Sequence, residues 1–162
     1  MNIPPQFNRK RFAFQKFENY DYKLWNAVKR EADKKINKDI TVKFIGTDIS
    51  DQAVATARRN IGNAGLRAYI KVERKDFLNT KFENKKGLII TNPPYDIRIQ
   101  SENINKLYKD IADTLKRGFT GWTAYIFSGN KSAVKHFGLK ASRKINLFNG
   151  KIECLYLKFD IY

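Results

Sequence analysis

The chain has 162 residues, with 32 Lys and Arg against 16 Asp and Glu, a net charge of +16. That length suits one domain with a real core, and a 42% hydrophobic content excludes a chain that is disordered by composition. The charge points to a polyanionic partner, nucleic acid first. No apolar run reaches the roughly 18 residues of a membrane-spanning helix, and residues 1–15 lack the apolar centre of a signal peptide. With one cysteine, Cys154, and one histidine, His136, a zinc site is excluded and no metal is expected. Cys154 reads as a small buried residue in a reducing compartment, which fits a cytoplasmic protein.

Residues 1–20 open with Ile3-Pro4-Pro5 and interleave Arg9, Lys10, Arg11 and Lys16 with Phe7, Phe12, Phe14 and Phe17. Such interleaving suits contact with single-stranded nucleic acid. The competing reading, which the pattern favours slightly, is an irregular lead-in whose rings plug a core. From Asp21, a good N-cap, Leu24, Val28 and Ala32 recur at helical spacing beside Trp25, and Lys23, Lys29, Arg30, Lys34 and Lys35 take the outer face. Residues 1–40 are therefore expected to form a basic lead-in and helix.

Thr41 to Thr47 reads as a strand ending at Asp48. Ser50 then caps a helix with Ala53, Val54 and Ala57 turned inward, and Gly65 stands just past its end. Ala68 to Val72 reads as a second strand, followed by Asp76-Phe77, and Gly87 to Thr91 as a third. Ile104, Leu107, Tyr108, Ile111 and Leu115 mark an amphipathic helix. Thr123 to Phe127 is a fourth strand, and Asn130 caps a short helix. Arg143 to Phe148 and Ile152 to Tyr162 are two strands joined at Asn149-Gly150, the strongest short hairpin signal. Strands and helices alternate and a hairpin closes the chain. The expected fold is an open, mostly parallel α/β sheet with an antiparallel edge.

The stretch Leu88-Ile89-Ile90-Thr91-Asn92-Pro93-Pro94-Tyr95 organises the rest. A β-branched run stops at two prolines, which cannot continue a ladder. Stiff backbone thus begins at a strand's carboxyl end, where open α/β sheets bind ligands. The Asn92 side-chain oxygen and the proline carbonyls are acceptors, and Tyr95 adds a flat ring. An exocyclic amine on a nucleobase needs two acceptors and a surface to stack on. The plain alternative is an ordinary Asn-Pro turn. Asp48 and Asp76 end the two preceding strands, so three polar groups stand at successive strand ends and suit one crevice. A carboxylate at Asp48 suits a ribose diol, and one at Asp76 suits the amino edge of adenine. Capping and turn roles are the ordinary alternatives for both.

Gly46-Thr47-Asp48-Ile49-Ser50, Ala57-Arg58-Arg59-Asn60 with Ala64-Gly65, Asp76-Phe77, and Thr91-Asn92-Pro93-Pro94-Tyr95 stand in this order, followed by Gly121-Trp122-Thr123, Phe127-Ser128-Gly129-Asn130, and Leu147-Phe148-Asn149-Gly150 through Glu153-Cys154. Together with Arg11-Phe12-Ala13-Phe14 and Leu24-Trp25, this set resembles the class I S-adenosylmethionine-dependent methyltransferases. More closely, it is similar to the THUMP-associated RNA methyltransferases first labelled adenine-specific methylases, which include the large-subunit rRNA guanine-N2 methyltransferases. The resemblance covers nearly the whole chain. It implies a Rossmann-like sheet over residues 41–162, with S-adenosylmethionine as cofactor and RNA as partner. Asp48 with Ile49 would lie at the cofactor ribose and Asp76 with Phe77 at its adenine. Asn92, Pro93, Pro94 and Tyr95 would be the catalytic corner, with Tyr95 stacking on the flipped base.

The chain departs from that family at its start. The first glycine is Gly46, and no glycine-rich loop or clear strand precedes Asp48. The expectation is the C-terminal part of a longer enzyme, lacking the strand that lies centrally in this fold, so that residues 41–162 are a partial catalytic domain. Three functions follow. The first is methyl transfer to an exocyclic amine of an RNA base, guanine N2 of ribosomal RNA foremost, and the Gly-Asn and Asn-Gly-x-x-Glu-Cys blocks favour it. The others are DNA adenine-N6 methylation, which the same corner serves, and a catalytically dead basic fragment that only binds RNA. With the cofactor loop missing, residues 1–162 alone are expected to bind little S-adenosylmethionine.

Overall fold

The computed structural model describes residues 1–83, 86–95 and 101–162. They fall into two compact units, Met1–Arg74 and Lys75–Tyr162, which are described separately.

In the first unit the Asp21 carboxylate accepts from the N–H groups of Lys23 and Leu24 and starts α1 (Tyr22–Lys34). Strand β1 (Phe44–Asp48) runs parallel to β2 (Ile70–Arg74), with Gly46 opposite Val72. Between them lies α2 (Asp51–Asn63), capped by the Ser50 hydroxyl, with Gly65 at a φ of +70° after its end. The expected helix and both strands are present, the strands offset by about two residues. The aromatic lead-in behaves as a core plug: Phe12 and Phe14 pack on Trp25 with ring centroids 5.5 and 5.0 Å apart. One expectation fails. Leu24 and Val28 are more than half exposed, because α1 is anchored through Trp25, on another side of the helix, by Phe12 and Phe14.

The second unit contains β3 (Leu88–Thr91), α3 (Ser101–Gly118), β4 (Thr123–Ser128), α4 (Lys131–Lys135), β5 (Arg143–Asn149) and β6 (Ile152–Asp160). Its four strands lie in the order β3-β4-β6-β5, with β3 parallel to β4 and the remaining neighbours antiparallel. Burial alternates residue by residue along β4, the mark of a strand with one covered face. Ala124 and Ile126 point into the core, where they join Ile104, Tyr108, Ile111 and Leu115 of α3 and Leu157 and Phe159 of β6. This is the principal core of the described chain. The first unit has one buried residue among those described, Val54. With so little apolar surface removed from water, that unit gains little hydrophobic stabilisation from its own residues.

The fold is α/β with a parallel pair in each sheet and a C-terminal antiparallel hairpin. Among the described residues, β1 pairs with β2 alone and β3 with β4 alone. Two of the four open edges, β1 and β3, carry exposed apolar residues: Phe44 and Ile45 are 46% and 44% exposed, Leu88 and Ile90 57% and 66%. Parallel strands are normally covered on both faces and paired on both sides, so each of these two edges has the character of an interior strand lacking a neighbour.

Candidate active site

The Pro-Pro corner is built where two parallel strands end together. β3 and β4 run in register from Leu88 opposite Thr123 to Thr91 opposite Ile126, so Asn92 and Ser128 leave the same edge of the sheet. β6 is antiparallel to β4 and begins at that edge, which brings the β5–β6 hairpin tip there too. Pro93 is buried, while Asn92 and Pro94 are exposed. Among the described residues the Asn92 side chain has no hydrogen-bond partner, so its acceptor and its donors are uncommitted.

Tyr95 is held from two sides. A Cβ added at Gly129 would stand 2.8 Å from the Tyr95 Cδ2 and Cε2 atoms and 3.0 Å from Ile152. The bare α-carbon of Gly129 is therefore what allows the ring to lie flat against the strand end. The Asn149 amide donates to the Tyr95 hydroxyl at 2.7 Å. Asn149 is free to do so because the two-residue hairpin loop is Gly150-Lys151, one position later than the Asn-Gly signal implies, and Asn149 pairs with Ile152 as the last residue of β5. Only Gly150, at a φ of +61°, has left-handed backbone in that loop, as at the first position of a type II′ turn. Phe148, 72% exposed, stands beside this tip in sequence.

Behind the corner, the buried Ser128 hydroxyl lies 2.6 Å from the Tyr108 hydroxyl and accepts from the Asn130 N–H at 3.0 Å. Burial pushes the Tyr108 hydroxyl above its ordinary range, with a lesser push from Tyr95 and Cys154; the Ser128 hydrogen bond acts against it. Tyr108 stays neutral at pH 7 and fixes the end of β4. At the other end of β3, Gly87 lies under the Trp122 ring, where a Cβ would come within 2.2 Å of Cζ3. Glycines thus bracket β3: Gly87 precedes it, and Gly129 ends the neighbouring strand.

Gly129 and Asn149 are the site residues that chain-order reasoning passed over. Both stood in motif blocks, but a glycine and a turn asparagine have ordinary local explanations that hide a long-range partner. Gly129→Ala is expected to tilt the Tyr95 ring and break its hydroxyl contact with Asn149, without loss of the fold in a thermal melt. Tyr95→Phe should remove the same hydroxyl contact as Asn149→Ala, so the double variant should be no worse than either single one. Additive losses would reject the contact.

Both carboxylates are partly engaged in local hydrogen bonds. Asp48 accepts from the Ser50 N–H through Oδ1 at 2.8 Å, and Oδ2 has no partner among the described residues. Ile49 beside it is 67% exposed. In the second unit Asp76 accepts from the Leu78 N–H at 2.9 Å and from the Asn79 amide at 3.4 Å, capping the short 3₁₀ turn Phe77–Asn79. The Phe77 ring is stacked on Phe119 with centroids 5.7 Å apart. No group of three metal-ligating side chains occurs among the described residues, and no helix among them is long and apolar enough to cross a membrane.

The model of the RMKL-like methyltransferase domain matches residues 1–158. The chain belongs to that family. It is 32% identical over its whole length to slr0064 of Synechocystis, assigned as an RNA methyltransferase, and covers 42% of that protein. It is 33% identical over 99% of its length to the ribosomal RNA large subunit methyltransferase K/L of Methylococcus capsulatus, covering 22% of it. Among solved structures, SMU.472, crystallised with SAH, superposes over 100% of the chain with a TM-score of 0.91 and 30% identity, the chain covering 43% of it. A possible methylase from Clostridium difficile gives 0.89 at 30% identity over 99% of the chain and 42% of the neighbour. The chain therefore spans less than half the length of these family members.

Proposed function

We propose that this chain forms the base-recognition corner and part of the cofactor surface of an S-adenosylmethionine-dependent methyltransferase acting on an exocyclic amine of an RNA base. Guanine N2 of ribosomal RNA is the first candidate, in the cytoplasm. The observation that carries the reading is the corner itself. An uncommitted Asn92 amide lies at the carboxyl end of β3 beside the buried Pro93, and the Tyr95 ring is clamped next to it. The names of the K/L relatives and of the SAH-bound neighbour support the cofactor and the RNA substrate.

The residues present suit one side of the cofactor. The open Asp48 oxygen and the exposed Ile49 fit a ribose and a flat apolar ring; Asp76 fits an amino edge with the lone pairs that its cap leaves over. The bound cofactor supplies an electrophilic methyl group on a sulfonium. Asn92 and the Pro93 carbonyl accept the two N–H bonds of the target amine and turn the nitrogen lone pair toward that methyl. With the cofactor held there, the methyl group would pass from its sulfur to this nitrogen, the sulfur keeping the bonding pair. The amine proton then passes to water, so no strong base is required. Asn92, Pro93, Pro94 and Tyr95 form the proposed catalytic corner; Asp48 and Ile49 of the first unit, and Asp76 and Phe77 of the second, are each proposed as cofactor contacts.

A second reading, DNA adenine-N6 methylation, is favoured by a Listeria monocytogenes structure described as an N6-adenine-specific DNA methylase, at 26% identity and a TM-score of 0.82. The two separate by product. Incubation with labelled S-adenosylmethionine, rRNA and duplex DNA, followed by nucleoside mass spectrometry, should yield N2-methylguanosine in RNA. N6-methyladenine in DNA would decide for the second reading. Methylation of neither, by a protein extended to the length of its relatives, would leave a basic RNA-binding fragment. The open apolar edges of β1 and β3 also lead us to expect that residues 1–162 alone bind cofactor weakly and gain affinity when a preceding segment is supplied.

A further inference from the structure

The first unit carries a concave basic surface that the corner does not use. A groove of about 500 Å³ lies along α2 and β2, with Arg58, Arg59, Arg67 and Lys71 among its lining residues, together with Ile61 and Ile70. One of its guanidinium groups is held by hydrogen bonds, and a second has room made for it. Arg58 donates through Nε and Nη2 to the Val72 carbonyl at 3.0 and 2.8 Å. The Arg67 guanidinium lies over Gly62, where a Cβ would stand 2.6 Å from Nη2 and 2.8 Å from Nε.

Gly62 lies inside α2, and its φ is not in the left-handed region. The backbone there does not require glycine, and alanine would favour the helix. What the missing Cβ provides is a berth for a guanidinium. Arg59 and Arg67 form no hydrogen bond or ion pair among the described residues, and Lys71 is paired with Glu73 at 2.5 Å. Four cations thus share the groove with the Glu73 carboxylate, and two of them have all their donors free. Planar guanidinium forks match the paired oxygens of a phosphodiester, and contacts to the backbone set the register of a nucleic acid without reading its sequence.

We propose that this α2–β2 groove binds the phosphodiester backbone of the nucleic acid substrate. The proposal rests on the reading that the substrate is a nucleic acid. It does not require that this chain transfer methyl groups.

The test uses fluorescence anisotropy of the full chain with a labelled RNA hairpin and with duplex DNA of equal length, between about 50 and 200 mM salt. Arg59→Glu/Arg67→Glu is compared with Lys29→Glu/Lys34→Glu on α1, which changes the net charge equally. The groove pair should weaken RNA binding at least about tenfold more than the control pair and flatten its salt slope by up to about two contacts. Gly62→Ala keeps the charge and helix intact but evicts Arg67, and it should weaken binding several-fold with an unchanged or raised melting temperature. Groove-dependent binding to RNA alone, or to both RNA and DNA, supports the proposal. Equal losses in the two double variants, wild-type affinity in Gly62→Ala, or no binding at low salt would overturn it. Groove-dependent binding by this chain, with no methyl product from a protein extended to the length of its relatives, would instead reject the catalytic reading and leave the groove standing.

Discussion

Asn92→Ala is expected to lower turnover by about 100-fold or more while changing cofactor affinity less than about twofold. Asn92 stands alone at the end of β3, exposed and without a partner among the described residues. Its removal therefore costs the fold little and takes away the acceptor proposed to orient the amine. An interaction made chiefly in the transition state is lost from kcat rather than from ground-state binding. Asn92→Asp keeps an acceptor oxygen and should recover part of the rate. Tyr95→Ala should instead appear in substrate affinity, at roughly 1–3 kcal/mol if stacking on the base is its main contribution. Steady-state and single-turnover methylation of rRNA by the extended enzyme, with titration of the cofactor analogue, measures each quantity. Undiminished turnover in Asn92→Ala would remove the corner from the chemistry.

Phe119→Ala is expected to destabilise the second unit by about 3–5 kcal/mol, a large share of the roughly 5–15 kcal/mol of a whole domain. Its ring is 1% exposed and meets Phe77 at 5.7 Å, Phe82 at 5.9 Å and Trp122 at 5.3 Å. Deleting it opens a cavity that these rigid neighbours cannot close. Two of them bear on the site, since Trp122 covers Gly87 before β3 and Phe77 follows Asp76. Urea unfolding followed by Trp122 fluorescence in a Trp25→Phe background reports the loss. Leu24→Ala, at a position 62% exposed, should shift stability by no more than about 0.5 kcal/mol. A comparable effect at both positions would mean that the core does not lie where α3 meets the sheet.

Much of the second unit was legible from residue order. Ile104, Tyr108, Ile111 and Leu115 recur at helical spacing, and all four are buried. The strand read from Thr123 to Phe127 is β4, one residue longer. These patterns read correctly because periodicity and burial are set within one element facing one large core. The capping roles of Asp21, Ser50, Asp76 and Asn130 were equally local, each carboxylate, hydroxyl or amide meeting an N–H two or three residues on.

The misreadings concern partners. Leu24 and Val28 form an apolar stripe, yet a stripe does not name what it packs against, and the Phe12 and Phe14 rings took Trp25 instead. Asn149-Gly150 announced a hairpin, but residue order alone did not reveal that the loop falls on Gly150-Lys151 and leaves the Asn149 amide for Tyr95, 54 residues away. That contact exists only because β3 and β4 are parallel, β6 is antiparallel to β4, and all three therefore present their site ends at one edge. The chain itself determined the elements, their caps and the presence of an acceptor corner after β3, since each depends on neighbours in sequence. Only the folded sheet decided that Gly129 leaves room for the Tyr95 ring and Asn149 holds its hydroxyl, because such packing depends on distance in space.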